Sequence, residues 1–143
     1  MPVRPEDEAV TAPRDVHTVL DEIASSLARR RFPPTPEKTV QGLLALALGT
    51  DDFWVEREVP LASTVHVVDL LVRRGTYRVG LEAKVKGSAS AVTRQLHGYA
   101  STGALSALVL VTTSRRLAAS IVVPDGRLAG IPFRTILLST FIA

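Results

Sequence analysis

The feature that most constrains this chain is a hairpin-like pattern in residues 66–87, HVVDLLVRRGTYRVGLEAKVKG. Two apolar runs rich in Val and Leu flank Arg74-Gly75, and such runs around a glycine-containing turn predict two antiparallel strands. One acid interrupts each run, Asp69 in the first and Glu82 in the second. A buried, isolated carboxylate costs several kcal/mol unless it is paired or bound to a cation. Two such residues in adjacent strands therefore predict one shared polar site.

The faces of this hairpin decide whether the acids meet. Alternate strand residues share a face, so Glu82 and Lys84 project together. We predict a two-residue loop at Arg74-Gly75, which places Asp69 opposite Gly80 and on the face of Glu82. Diagonal neighbours of this kind lie roughly 7–8 Å apart, and the glycine leaves room for a cation between them. A three-residue loop would put Asp69 on the opposite face.

The composition limits the class of protein. A chain of 143 residues fits one domain, and 46% hydrophobic with 22% charged residues is typical of a globular protein. The absence of cysteine excludes a disulfide framework, a thiol nucleophile and a cysteine zinc site. Three histidines without H-x-H or H-E-x-x-H spacing argue against a zinc enzyme. No glycine-rich phosphate loop or dinucleotide fingerprint is present, which argues against nucleotide hydrolysis.

Charge and hydropathy indicate the partners and the compartment. A net charge of +3 and a pI near 9.8 suit a polyanionic partner, although a solvated, arginine-rich surface explains the charge equally well. The N-terminus lacks the apolar core of a signal peptide, and the longest apolar runs are too short to span a bilayer. We therefore expect a soluble, cytoplasmic protein with no membrane partner.

The order of elements predicts the fold class. Residues 1–14, rich in Pro and acid, are expected to form a flexible tail before a single domain of residues 15–143. Asp15 is the expected N-cap of a first helix, and Thr35 the N-cap of a second helix with Pro36 at its first position. Further helical periodicity covers residues 88–101, and strands are predicted over residues 53–61, 65–72, 77–85, 105–112 and 133–139.

Three consecutive strands favour an antiparallel meander, and the helix that follows them can set the next strand parallel in the same sheet. We therefore predict an α/β fold, a three-layer α/β sandwich with a mixed central sheet of about five strands.

Two carboxylates beside a lysine are the ligand set that a magnesium site needs. Mg²⁺ keeps several waters and is usually held by one or two carboxylates plus substrate phosphate. Asp69 and Glu82 supply these carboxylates, and the Ala83 carbonyl is a candidate backbone ligand. Lys84 can hold or deprotonate a bound water. The alternative is a surface Glu–Lys pair and an aspartate near a strand end, in which case Asp69 and Glu82 would not converge.

At this point the chain resembles the PD-(D/E)xK nuclease superfamily, whose fold is restriction-endonuclease-like. In that pattern a first acid follows a hydrophobic strand and a hairpin leads to an acid-x-lysine. Asp69, Glu82 and Lys84 match those positions, while Val68 stands where the proline of the motif would be. The resemblance covers residues 35–112 and is nearest to Holliday junction resolvases and small phage or repair nucleases.

The resemblance adds two helical positions. Many relatives carry a glutamate in the preceding helix, which Glu37 matches, although an acid in a first helical turn is also stabilised by the helix dipole. Several place a glutamine after the lysine strand with a tyrosine four residues later, as Gln95 and Tyr99 stand here. A structural hydrogen bond to backbone explains Gln95 equally well, and a tyrosine at such a position is more often core than catalytic.

The resemblance implies a Mg²⁺-dependent DNA endonuclease, with Mn²⁺ as a substitute, that hydrolyses phosphodiester bonds with selectivity for branched structures. The residues implied in catalysis are Asp69, Glu82, Lys84, Gln95 and Glu37. The candidates for contact with DNA phosphates are Arg94, His97, Arg73 and Arg74. A homodimer formed through the apolar residues 135–143 is a further expectation. The competing function is a non-catalytic DNA-binding or assembly domain that retains the fold.

Overall fold

The structure, a computed structural model, describes residues 2, 4–8, 15–62 and 65–141. Four α-helices and eight strands are present in these ranges. The helices are α1 Val16–Ala28, α2 Glu37–Thr50, α3 Ala89–Ala100 and α4 Arg115–Ser120. The strands are β1 Arg31–Phe32, β2 Trp54–Pro60, β3 Val67–Arg74, β4 Tyr77–Lys84, β5 Ala107–Thr112, β6 Arg127–Leu128, β7 Ile131–Leu137 and β8 Ser139–Thr140. Short 3-10 turns cover Pro5–Glu8 and Pro124–Gly126.

Six strands form the central sheet in the order β2-β3-β4-β5-β7-β6. The first three strands are an antiparallel meander, and α3 carries the chain to β5, which pairs parallel with β4. β7 continues the parallel arrangement, and β6 closes the sheet antiparallel to β7. The predicted mixed α/β sheet is confirmed. It has one strand more than expected because the two residues of β6 are too few for a period-2 pattern.

Helices cover both faces of this sheet. On one face α1 and α2 pack over residues such as Leu70, Val72, Leu81 and Val109. On the other face α3 and α4 pack over a second apolar cluster that includes Leu71, Leu108 and Leu110. Every residue of β5 is buried, as expected of a strand that is covered on both sides. The architecture is therefore the predicted three-layer α/β sandwich.

The helix starts are close to the expected positions. Asp15 caps α1, because its side chain accepts a hydrogen bond from the Thr18 backbone N–H at 3.0 Å. The second start is one residue later than predicted. Pro36, not Thr35, is the N-cap of α2, since its ψ of 154° is extended, and the helix begins at Glu37. The local pattern permits both starts, and such boundaries shift readily by a residue.

The loop of the hairpin lies one residue later than predicted, which shifts each cross-strand partner by two residues. Arg74 pairs with Tyr77, so the two-residue loop is Gly75-Thr76 rather than Arg74-Gly75. Gly75 has a φ of 58°, a left-handed conformation that glycine adopts without strain. Gly80 therefore lies opposite Leu71 and not opposite Asp69. Because the pairing shifts by an even number of residues, the faces of the strands are unchanged.

Gly80 has a packing role. A Cβ on this residue would lie 2.9 Å from the Leu105 side chain, so the glycine admits an apolar side chain of the core. The prediction that Gly80 leaves room for a cation is wrong, because the register places it opposite Leu71, two positions along the strands from the acids.

Both ends of the chain are described in part. Residues 1, 3 and 9–14, which include most of the predicted tail, lie outside the described residues, while the Pro5–Glu8 turn contacts β3. Residues 142–143 of the predicted dimer surface are also outside them, and Leu137 and Phe141 of that segment are exposed. No helix in the described part of the chain is long and apolar enough to cross a membrane.

Candidate active site

The strands β3 and β4 separate at the two acids. Their backbone pairing ends at Leu70 and Leu81, although both strands continue. Beyond that pair the carboxylates take over the backbone donors. The Asp69 N–H donates to Glu82 Oε1 at 3.2 Å, and the Ala83 N–H donates to Asp69 Oδ2 at 2.9 Å. These crossed bonds hold the two carboxylates face to face.

The backbone around Asp69 departs from regular strand geometry. Leu70 packs on the α1 and α2 face, yet Val68 packs on the α3 and α4 face, so the alternation of side chains breaks at Asp69. On the neighbouring strand Glu58 lies between the partners of Val68 and Leu70, and its φ is 51°. A non-glycine residue in this conformation costs about 1–2 kcal/mol. The sheet is thus strained on the side of Asp69 away from Glu82, as often occurs beside functional residues.

The helix α3 provides a second set of contacts to Glu82. The Tyr99 hydroxyl donates to Glu82 Oε2 at 3.1 Å, and Gln95 Nε2 donates to the Tyr99 oxygen at 2.7 Å. The Glu82 side chain is only 3% exposed, so these partners and the Asp69 N–H are what satisfy it. Gln95 therefore contacts the acids through Tyr99, and its amide is satisfied by a hydroxyl rather than by backbone.

Lys84 lies between two carboxylates. Its Nζ is 3.7 Å from Glu82 Oε2 and 4.0 Å from Glu37 Oε2. Glu37 has a second contact, because its Oε1 accepts the Val85 N–H at 3.1 Å. The first residue of α2 thus supports the end of β4 and helps to hold the ammonium group. The Lys84 side chain is 19% exposed, so it borders the opening of the site.

Burial sets the electrostatics of this cluster. Desolvation, with the nearby Asp69 carboxylate as the next contribution, raises the pKa of Glu82 to about 8. Desolvation also raises the pKa of Asp69, against the opposing effect of the Ala83 N–H bond. Without a cation the two acids therefore favour one shared proton near neutral pH. A divalent ion would remove the repulsion that keeps this proton in place.

The donor set fits a magnesium ion that retains water and binds substrate. In the ranges that the structure describes, no three His, Cys, Asp or Glu side chains surround a common metal position. Two facing carboxylates are, however, the usual protein contribution to a Mg²⁺ site. The Ala83 N–H faces Asp69, and in a strand the carbonyl of the same residue points to the same side. The residues that would hold the ion are Asp69 and Glu82, with the Ala83 carbonyl as a third ligand.

The predicted phosphate contacts on α3 are open to solvent. Arg94 and His97 are both exposed. His97 Nδ1 lies 3.4 Å from Ser101 Oγ, one turn further along the helix. Their role as DNA contacts stays a prediction.

Arg73 and Arg74 lie at the turn of the hairpin, away from the acids. Arg73 is 3.5 Å from Glu56, and Arg74 is 2.7 Å from Glu22. The Arg74 guanidinium also stacks over the Phe53 ring, 4.1 Å from its centroid. Both arginines thus have intramolecular partners, and their role as DNA contacts stays a prediction.

One residue of the site, Tyr99, lies nearer to the acids than its sequence pattern predicts. Tyr99 is buried, as a core residue would be, but its hydroxyl binds the second acid directly. The signal was present in the i, i+4 spacing of Gln95 and Tyr99. His66, which precedes β3, packs edge-on against Tyr99 with ring centroids 5.5 Å apart.

No protein-family model and no curated protein matches this chain. Among solved structures, it is similar to the small subunit of the heterodimeric restriction endonuclease R.BspD6I, with 15% sequence identity and a TM-score of 0.42. The match covers 83% of this chain and 72% of that subunit. Any functional assignment therefore rests on the site itself.

Proposed function

We propose that this protein is a Mg²⁺-dependent nuclease that hydrolyses phosphodiester bonds of DNA, with Mn²⁺ as a substitute ion. The observation that carries the proposal is the pair of the buried Glu82 and the half-buried Asp69, held by crossed backbone bonds with the Lys84 ammonium 3.7 Å from Glu82. Structural ion pairs seldom bury two carboxylates against one cationic group, because the remaining negative charge is then uncompensated.

The ion, when bound between Asp69 and Glu82, would neutralise charge on the scissile phosphate and acidify a water. The chain itself performs the remaining tasks. Asp69 and Glu82 orient the ion, and the crossed backbone bonds keep their oxygens in place without further ordering at the moment of reaction.

Lys84 is the group placed to act on the attacking water. Its Nζ borders the opening of the site and can donate to a water or to a non-bridging phosphate oxygen. Glu37 limits the motion of this side chain from the other side. In this arrangement Lys84 has the position of a general base, and Glu37 has the position of the residue that orients it.

Gln95 and Tyr99 are positioning residues in this proposal. Together they form a two-step hydrogen-bond chain from α3 to Glu82 Oε2. A carboxylate whose second oxygen is held in this way keeps one orientation, which favours a single ion geometry.

The experiment is a cleavage assay with supercoiled, linear, single-stranded and four-way-junction DNA, with Mg²⁺ and with a chelator. The variants are Asp69→Asn, Glu82→Gln and Lys84→Ala, which change a charge while keeping most of the packing. Glu58→Gln is the matched control, because this strand glutamate is 53% exposed and its ion pair among the described residues is with Lys38. We expect metal-dependent cleavage that falls about 100-fold or more in each site variant and is unchanged in the control.

Cleavage that survives Glu82→Gln and Lys84→Ala would refute the site. Binding of DNA without cleavage by the wild type under every metal condition would instead favour the non-catalytic DNA-binding or assembly domain. Faster cleavage of the four-way junction than of linear duplex would support a junction-resolving role.

A further inference from the structure

Basic residues are distributed unevenly along the chain. Residues 83–143 contain seven Lys and Arg and a single acid, Asp125. Residues 1–82 contain ten Lys and Arg and thirteen acids. The positive charge therefore belongs to the part of the fold that follows the second acid of the site. Such an asymmetry is a feature of surfaces that bind polyanions.

A polar cavity of about 330 Å³ is lined mostly by residues of this basic part. Arg31 of β1 and Arg115 of α4 line it from two sides. Its remaining polar walls are hydroxyl side chains, namely Thr113, Ser139 and Thr140. Two guanidinium groups surrounded by hydroxyl donors are a combination that suits phosphate oxygens, because arginine binds phosphate through a planar, bidentate fork.

The two arginines of this cavity differ from several others in the protein that pair with acids. Arg29 and Arg30 bind Asp51, Arg74 binds Glu22, and Arg134 binds Asp21. Among the side chains that the structure describes, neither Arg31 nor Arg115 has an acidic partner, and both are exposed. Their charge is thus not neutralised by a described side chain.

The cavity lies at the same edge of the sheet as the candidate active site. β4, β5 and β7 are parallel, and Lys84 pairs with Thr112, which pairs in turn with Leu137. The cavity begins at the ends of these strands, at Thr113 and Leu137. Two strand spacings separate β4 from β7, which is roughly 10 Å. In open α/β sheets, ligands bind outside the carboxyl ends of the strands.

Additional basic residues connect the cavity to Lys84. Arg116 follows Arg115 and donates from Nη2 to the Gly87 carbonyl at 2.8 Å, which joins α4 to the loop after β4. Lys86 lies in that loop, two residues beyond Lys84. A path of positive charge thus runs along the sheet edge from the acids to the cavity.

We propose that the cavity between Arg31 and Arg115 binds a backbone phosphate of the DNA, a few nucleotides from the bond that is cut. The proposal rests on the proposed function, since it names the surface that holds the same substrate. A contact of this kind orients the duplex without reading its sequence. It would also place the strand across the edge of β4, β5 and β7 instead of at the hairpin turn.

The test measures binding to a short fluorescent DNA duplex over a range of salt concentrations, without divalent ions, so that no DNA is cleaved. The variants are Arg31→Ala/Arg115→Ala and the control Arg127→Ala. Arg127 is exposed and belongs to the same basic part, but it pairs with Pro132 at the opposite end of β7. Thermal unfolding verifies that each variant is folded, and Arg31→Lys/Arg115→Lys retains the charge.

We expect the alanine double variant to bind roughly tenfold or more weakly. The slope of log K against log salt should fall by about two, because two phosphate contacts are lost. The lysine variant should keep most of the slope, and Arg127→Ala should resemble the wild type. Equal losses in the double variant and in Arg127→Ala would overturn the proposal, since they would reflect net charge alone.

The two proposals fail in different ways. DNA binding that depends on Arg31 and Arg115, together with no cleavage, would refute the nuclease and keep the phosphate site. Cleavage that depends on Glu82, together with binding that is indifferent to both arginines, would refute the phosphate site and keep the nuclease.

Discussion

At the scale of single residues, the buried Glu82 carboxylate determines how the protein without metal responds to pH. Its folded pKa of about 8 lies above the ordinary value of 4.5, so the folded state binds a proton that the unfolded state has released. The contribution of protonated Glu82 to the free energy of unfolding is fully present below pH 4.5 and is lost as the pH rises towards 8. Ionised Glu82 therefore destabilises the metal-free protein at alkaline pH.

Glu82→Gln mimics the protonated acid and removes this loss. We expect the variant to be more stable than the wild type at pH 8 without metal, and nearly equal to it at pH 4. In between, the difference in unfolding free energy should grow by up to ~1.4 kcal/mol per pH unit. Urea denaturation of both proteins at several pH values measures this difference in unfolding free energy. A Glu82→Gln variant that is less stable than the wild type at every pH from 4 to 8 would contradict the account. Glu58→Gln is the control for the loss of one exposed carboxylate.

At the scale of elements, the contact between α1 and the end of α2 depends on one aspartate. Asp51, the C-cap of α2, accepts hydrogen bonds from Ser26 of α1 and from Arg29 and Arg30 just after it. The hydrogen bond from Arg30, followed by that from Ser26, holds the pKa of Asp51 well below its usual range. Stability from this cluster is therefore present above about pH 4 and is lost as the pH falls.

Asp51→Asn should lower the unfolding free energy at pH 7 by about 1–2 kcal/mol, because the cluster is partly open to solvent and loses a charge-assisted acceptor. Thermal or urea unfolding checks the value. The loss should shrink below pH 4, because the unfolded wild type then binds a proton at Asp51 that the folded state does not bind. Asp125→Asn is the control, since Asp125 is exposed and asparagine tolerates its left-handed φ of 56°. A loss that does not depend on pH would rule out the carboxylate charge as the cause.

Much of the hairpin was accessible to sequence analysis. The two-residue loop and the alternation of faces predict that Asp69 and Glu82 lie on one side, and the structure places them together. The position of the loop was not accessible, because Gly75 can be its first or its second residue. The spacing of Gln95 and Tyr99 indicates that their side chains meet, but it does not show that the Tyr99 hydroxyl binds Glu82, since a periodic pattern cannot show which acid of another element a buried hydroxyl contacts.

At the scale of the whole molecule, one edge of the sheet carries both the candidate active site and the basic residues around the cavity. The order of elements predicts the mixed sheet and its three layers, because a meander followed by a crossover helix leaves few topologies. The strands β1, β6 and β8 have two residues each, which is too short for the alternation of polar and apolar residues that predicts a strand. The cavity at Arg31 depends on the parallel pairing of β1 with β8, which joins residues more than a hundred positions apart.

The central claim is that Asp69 and Glu82 bind one divalent ion, and calorimetric titration of the protein with Mg²⁺ or Mn²⁺ tests it most directly. We predict one ion per chain, with an affinity that rises as the pH approaches 8 because binding displaces the proton on the acids. Asp69→Asn and Glu82→Gln should abolish this binding, and Glu58→Gln should retain it. Undiminished binding in both site variants, or no binding by the wild type at pH 8, would contradict the claim.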